Sequence, residues 1–194
     1  MATSWFNDLL GVELPRDGES FVAHGRELTM VRGIPRAREF VSEAQGQTRE
    51  AFGFKWAKRD TFEGRLADNM RSWLIEKYGD VTSAEWLFQS GEHPIVLDAG
   101  CGAALSGLAL FEPVLDRLRY VGVDVSDAVD VAKQRFRERG LPGEFVQADL
   151  LQLPLAEQSV DLIFSEGVLH HTDNTRAALA AVVKHLKVGG RILF

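Results

Sequence analysis

Residues 95–104 read Ile95-Val96-Leu97-Asp98-Ala99-Gly100-Cys101-Gly102-Ala103-Ala104. A short apolar run with β-branched residues, cut off by two closely spaced glycines, is the pattern of a parallel strand buried on both faces that turns sharply into a helix. Downstream the same grammar repeats. A helix is predicted over 103–118, kinked or broken by Pro113. Tyr120-Val121-Gly122-Val123-Asp124 is a second strand, and Ser126 or Asp127 caps a helix that runs through Arg139 to Gly140 and Pro142. Phe145-Val146-Gln147 is a third strand and Val160-Asp161-Leu162-Ile163-Phe164-Ser165 a fourth. A helix with Leu179, Val182, Val183 and Leu186 on one face then ends at Gly189-Gly190, and Arg191-Ile192-Leu193-Phe194 starts a fifth strand. Strands alternating with helices of this length imply an α/β, doubly wound, mainly parallel Rossmann-like sheet with helices on both faces.

Upstream, Leu66, Met70, Trp73, Leu74 and Lys77 or Tyr78 recur at helical spacing between Gly64 and Gly79, and a short helix over 84–89 follows. Before Gly64, glycines and prolines interrupt every apolar pattern, so residues 1–63 read as an irregular N-terminal arm and residues 64–194 as the Rossmann-like domain. A total of 194 residues suits one well-buried domain with an appendage.

The chain is 45% hydrophobic and 26% charged, with 22 Lys+Arg against 28 Asp+Glu and a net charge of −6. This globular, acidic composition makes nucleic acid a poor partner. The local basic set Arg32, Arg36, Arg38, Arg49, Lys55, Lys58, Arg59 and Arg65 reads as a solvated face. Cys101 is the only cysteine, which excludes a disulfide framework and a multi-cysteine zinc site. No leader pattern and no membrane-length apolar run is present, so a cytoplasmic location without membrane contact is expected.

Ligands of such sheets bind beyond the C-terminal strand ends where strand order reverses. The 100–102 turn lets backbone approach a ligand, and Asp124 can accept both hydroxyls of a ribose. Asp149 with Leu150 sets an acceptor beside a backbone N–H, suited to an adenine edge. A nicotinamide site needs a third glycine where Leu105 stands, which counts against a dehydrogenase.

The set Val96-Leu97-Asp98-Ala99-Gly100-Cys101-Gly102, Gly122-Val123-Asp124-Val125-Ser126, Gln147-Ala148-Asp149-Leu150 and Leu186-Lys187-Val188-Gly189-Gly190-Arg191 resembles the class I S-adenosylmethionine-dependent methyltransferases. Val168-Leu169-His170-His171 brings it nearest to their small-molecule, type 11-like group. The resemblance implies S-adenosylmethionine as cofactor and a small-molecule methyl acceptor. Asp98, Gly100 and Gly102 would shape the methionine subsite, Asp124 the ribose subsite, Asp149 and Leu150 the adenine subsite, and Ser165 would line the methionine side. Glu166, His170 and His171 would face the transfer site, one of them serving as base where the acceptor arrives protonated. No metal is expected.

Ala104 stands where the family has glycine; if the position needs positive φ, its methyl group works against cofactor binding. The resembling fold has seven strands and this chain reaches a fifth, so strands six and seven are expected to be absent. Val31–Arg36 and Phe52–Trp56 look like segments that precede the catalytic domain in some relatives, where the first follows a zinc-ribbon-like module whose cysteines are missing here; Phe54 or Trp56 would anchor a lid or fasten the arm to the core. Two rival readings are a non-catalytic S-adenosylmethionine-binding module and, less favoured, an NAD-dependent oxidoreductase.

Overall fold

The structure, a computed structural model, describes residues 4–37, 65–89 and 91–194. The 52–56 segment read as a lid lies outside them. Eight strands form one sheet in the order β1-β2-β3-β6-β5-β4-β7-β8. They are β1 (Ser20–Ala23), β2 (Arg26–Val31), β3 (Ile34–Ala37), β4 (Ile95–Ala99), β5 (Arg119–Asp124), β6 (Glu144–Gln147), β7 (Val160–Phe164) and β8 (Leu186–Leu193). From β3 to β8 every neighbouring pair is parallel, as expected.

The expectation of a sheet lacking its sixth and seventh strands is corrected, since the sheet has eight. Three of them come from the segment read as irregular. β1, β2 and β3 are an antiparallel meander joined by the two-residue loops His24-Gly25 and Arg32-Gly33. Both residues of each loop have positive φ (45°, 77°, 55° and 69°), the conformation of the hairpin turn whose twist matches its flanking strands. The glycines that break the apolar pattern are thus the turns of the sheet. Residues Ser4–Leu10 form a helix, α1, which buries Phe6, Leu9 and Leu10.

The other helices are α2 (Arg65–Tyr78), α3 (Leu105–Phe111), α4 (Ala128–Glu138) and α5 (Thr175–Val183). Pro113 ends α3 as expected, and the chain continues as a 3-10 turn over Glu112–Arg117. α5 stops at Val183, and β8 begins at Leu186, so Gly189 and Gly190 lie inside a strand rather than after a helix. Pairing with β7 along this segment overrides the helical spacing of Leu186.

Side chains alternate across the central strands and split the core in two. Val96, Tyr120, Phe145, Leu162 and Phe164 pack with α2, α3 and α4. Leu97, Ala99, Val121, Val123, Val146 and Ile163 pack with α1 and α5. Strands buried on both faces explain the continuous apolar runs. Trp73 departs from the predicted apolar stripe of α2: Leu74 is fully buried, but Trp73 remains 48% exposed. No described helix is long and apolar enough to cross a membrane.

Candidate functional site

β4 leads to β5 and β6 on one side, and the chain then returns to place β7 on the other side of β4. The strand order therefore reverses between β4 and β7, and the crevice opens beyond their C-terminal ends. The turn after β4 and the loop after β7 meet there. The cleft is lined by Asp98, Gly100, Cys101, Gly102, Leu105, Ser106, Asp124, Val125, Leu150, Glu166, Gly167, Val168, His171 and Thr172. Its volume is about 140 Å³, roughly ten times the space one water requires.

The glycine turn is held from several directions. The N–H groups of Gly100 and Cys101 both donate to the Val123 carbonyl, at 2.7 and 3.0 Å. The Gly102 N–H donates to Asp124 Oδ2 at 2.8 Å. The buried Arg135 of α4 donates to the Ala103 carbonyl at 2.8 Å. Gly100 has φ +84° and Gly102 φ +51°, so the turn needs residues without a Cβ penalty there.

Ala104 is the exception, with φ +58° at the N-cap of α3 and no exposure. A left-handed alanine carries about 1–2 kcal/mol of strain. Replacing it by glycine removes the strain but also a buried methyl worth about 0.8 kcal/mol, and frees the unfolded chain. Ala104→Gly is therefore expected to leave the urea midpoint nearly unchanged. Ala104→Val, β-branched at positive φ in a full core, is expected to lower stability by about 3 kcal/mol or more.

Asp98 lies under α3 on the sheet and accepts a hydrogen bond from the Tyr120 hydroxyl. A Cβ on Gly107 would collide with both groups, so this pair fixes how closely the helix approaches. Burial pushes the Asp98 carboxyl up to about 7; the Tyr120 bond opposes the shift and the Asp124 charge adds to it. The folded protein therefore holds a proton that the unfolded chain releases near 3.8. That contribution to stability is complete below the unfolded value and is lost as pH rises through about 7. In denaturant titrations at pH 5 and pH 8, Asp98→Asn should gain stability relative to the parent as pH rises; equal differences at both would contradict the burial argument.

Asp124 closes β5. Its Oδ1 accepts from the Ser126 N–H at 2.8 Å and the Ser126 hydroxyl at 2.6 Å, and burial raises its pKa. Oδ2, which accepts only from the Gly102 N–H, keeps a second lone pair, so the group can still take a ligand hydroxyl. The Ser126 hydroxyl accepts from the Ala128 N–H at 3.3 Å, just ahead of α4, whose N-cap is Asp127.

Beyond β7, Glu166 Oε2 accepts from Lys77 Nζ at 2.9 Å and from the Tyr78 hydroxyl. His170 and His171 stack with ring centroids 4.0 Å apart, and His171 lines the cleft.

The structure thus brings Asp98, Gly100, Gly102, Asp124, Leu150, Glu166 and His171 to one cleft. It does not bring Ser165, Asp149 or His170 to the lining. Ser165 is buried and donates to the Ala99 carbonyl at 2.8 Å, across the sheet. Asp149 caps the following 3-10 turn, accepting from the Leu151 N–H at 2.9 Å. Lys77 and Tyr78, at the end of α2, were legible only as members of a helix face. Arg36, read within a solvated basic face, is 13% exposed and donates to Gln147 and Asp130 at 2.8 and 2.7 Å. Among the described residues no group of three or more His, Cys, Asp or Glu could hold a metal.

Residues 97–194 match the family described as a methyltransferase domain, and the chain belongs to that family. Its cofactor is S-adenosylmethionine. The uncharacterized methyltransferase YcgJ of Bacillus subtilis is 35% identical over 100 residues, covering 50% of this chain and 38% of its own. A mitochondrial arginine-hydroxylase of Danio rerio, NDUFAF5, is 25% identical over 163 residues, covering 82% and 48%. Each match thus spans less than half of the relative's length. Among solved structures, a putative S-adenosylmethionine-dependent methyltransferase of Methanococcus maripaludis superposes with TM-score 0.55 at 18% identity, covering 79% of this chain and 65% of that one. The magnesium protoporphyrin IX methyltransferase of Synechocystis, with its cofactor bound, gives TM-score 0.52 at 19% identity, covering 76% and 74%. These two likenesses establish the fold.

The donor set of the cleft fits the family's cofactor. It holds a part-buried carboxylate, Asp124, with a spare lone pair for a ribose hydroxyl, an apolar wall at Leu150, and a turn whose glycines present bare backbone.

Proposed function

We propose that the chain binds S-adenosylmethionine in this cleft and transfers its methyl group to a small molecule, leaving S-adenosylhomocysteine. The observation that carries the reading is the Asp124 carboxylate, tied by the Gly102 N–H to the glycine turn and lining the cleft beside it. When bound, the cofactor supplies a methyl group made electrophilic by its sulfonium. The chain's part is positioning. Asp124 would accept a ribose hydroxyl, Leu150 would pack against the adenine, and the 100–102 backbone would receive the methionine portion. Leu105 and Val168 keep water from the reacting end. In a dry, aligned site such positioning supplies several kcal/mol of a displacement barrier. Glu166 and His171 stand on the acceptor side, where either can receive a proton. Asp149 and Ser165 act as supports: Asp149 shapes the turn that presents Leu150, and Ser165 pins β7 to β4.

We place the cofactor domain at 64–194, with residues 1–63 as its N-terminal extension, in a cytoplasmic protein. Calorimetry with S-adenosylhomocysteine and transfer of labelled methyl groups into a metabolite extract test the reading. Binding with transfer supports it, and absence of binding overturns it. Binding without any transfer favours the second reading, a module that holds the cofactor without methylating. That reading draws weight from the relative named as an arginine-hydroxylase, whose match extends over 82% of the chain.

A further inference from the structure

Glu166 is unlike the other polar groups of the cleft. Both of its donors, Lys77 Nζ and the Tyr78 hydroxyl, converge on Oε2. Oε1 takes no hydrogen bond from the described residues, although the side chain is only 13% exposed and lines the cleft. One oxygen is thus anchored and the other is available to a ligand. The anchor is rigid on its far side, because the Tyr78 ring meets Phe164 edge-on with centroids 6.0 Å apart. Beyond it, Lys77 Nζ lies 5.2 Å from the ring centroid of Trp73 and 2.9 Å from Glu166 Oε2, so it joins the two. Trp73 is the large side chain that α2 leaves 48% exposed while its neighbour Leu74 is buried completely.

We propose that Trp73, Lys77, Tyr78 and Glu166 form the acceptor subsite, and that it takes a planar ring bearing a hydroxyl group, a phenol. The proposal rests on the methyl-transfer reading above and names the substrate class of that site. Trp73 offers an aromatic platform for a ring, and Glu166 Oε1 accepts the acceptor's hydroxyl proton. Lys77, bonded to Oε2, holds the carboxylate so that Oε1 faces the acceptor. The alternatives fit less well. An alkyl alcohol is too weak an acid for a carboxylate base, and an ammonium acceptor meets the Lys77 charge. In the transfer, the acceptor O–H proton passes to Glu166 Oε1 and an oxygen lone pair forms the new O–C bond. The electron pair of the breaking C–S bond returns to sulfur, which becomes a neutral thioether. The proton then leaves to solvent. Lys77 and Tyr78 are positioning residues, acting through the orientation of Glu166.

The test uses 4-nitrophenol, whose ionisation is visible by absorbance, titrated into the protein saturated with S-adenosylhomocysteine. Saturable binding is expected, weakened at least tenfold by Trp73→Ala. Glu166→Gln should shift ionisation of the bound probe to lower pH by one unit or more, because the Lys77 charge then acts alone. Tyr78→Phe, which takes a hydrogen-bond donor from the carboxylate, should shift it by less in the opposite direction. Affinity for S-adenosylhomocysteine should be unchanged in Trp73→Ala and Tyr78→Phe, whose residues lie outside the cleft lining. Absence of saturable probe binding, or binding and ionisation indifferent to both Trp73→Ala and Glu166→Gln, overturns the proposal. If S-adenosylhomocysteine itself does not bind, the cofactor reading falls and the acceptor subsite with it.

Discussion

Asp124→Ala is expected to lower affinity for S-adenosylhomocysteine at least about a hundredfold. A charge-assisted hydrogen bond is worth about 1.5–3 kcal/mol, and the spare lone pair of Oδ2 takes one from the ribose. The substitution also releases the Gly102 N–H and the Ser126 N–H and hydroxyl from their acceptor. Part of the loss is therefore a loosened turn rather than a missing contact. Asp124→Asn separates the two contributions, because one amide oxygen can still receive Ser126 while the charge is gone. Calorimetry should place Asn between the parent and Ala, with melting curves confirming that both variants fold. Parental affinity in the Ala variant would remove Asp124 from the ribose site.

The second large effect is expected at Gly100. Its φ is +84°, and a Cβ there would fall 2.8 Å from the Cβ of Val168 and nearer still to both of its γ carbons. Val168 belongs to the opposite wall of the cleft, and β-branching leaves it little freedom to withdraw. Gly100→Ala therefore combines left-handed strain, about 1–2 kcal/mol, with overpacking of about 1–3 kcal/mol. A loss near 3 kcal/mol in urea titrations is expected, with cofactor binding reduced beyond detection. Val168→Ala in the same chain removes the two γ-carbon contacts but leaves the 2.8 Å Cβ contact and the strain, so it should recover part of the stability. No recovery would mean that backbone conformation, and not the Val168 contact, is what demands glycine.

The central sheet was legible because β4, β5 and β7 each carry two agreeing signals: an apolar run and a turn or carboxylate at its end. Asp98, Gly100, Gly102 and Asp124 follow from that, since a residue at a buried strand's C-terminal end can reach only the crevice or the adjoining turn. Ser165 shows the limit of the same logic. Sequence places it at a strand end but does not say which way its hydroxyl points, and the Ala99 carbonyl claims it. The meander was missed for a different reason. His24-Gly25 and Arg32-Gly33 interrupt apolar patterns, as loops do, yet two-residue interruptions between short strands are also hairpin turns. Alternation within Arg26–Val31, where Leu28 and Met30 are buried, was the available clue. Glu166 was read at the transfer site, but its meeting with Lys77 and Tyr78 was beyond local reading, because it joins residues 88 and 89 positions apart.

The meander is attached to the rest of the sheet by little backbone. β3 meets β6 through one register pair, Arg36 with Gln147, and the Arg36 guanidinium completes the clasp with Gln147 and Asp130. Gln147 also donates to the carbonyl of Val125, next to Asp124 in the cleft wall. The two hairpins are local and can close within microseconds. Their docking brings together residues 111 positions apart, and a contact of that separation is entropically costly until the intervening chain has organised. In the order of folding, the clasp is therefore a late event. The wall beside Asp124 thus takes its outer support from a contact that depends on the sheet behind it.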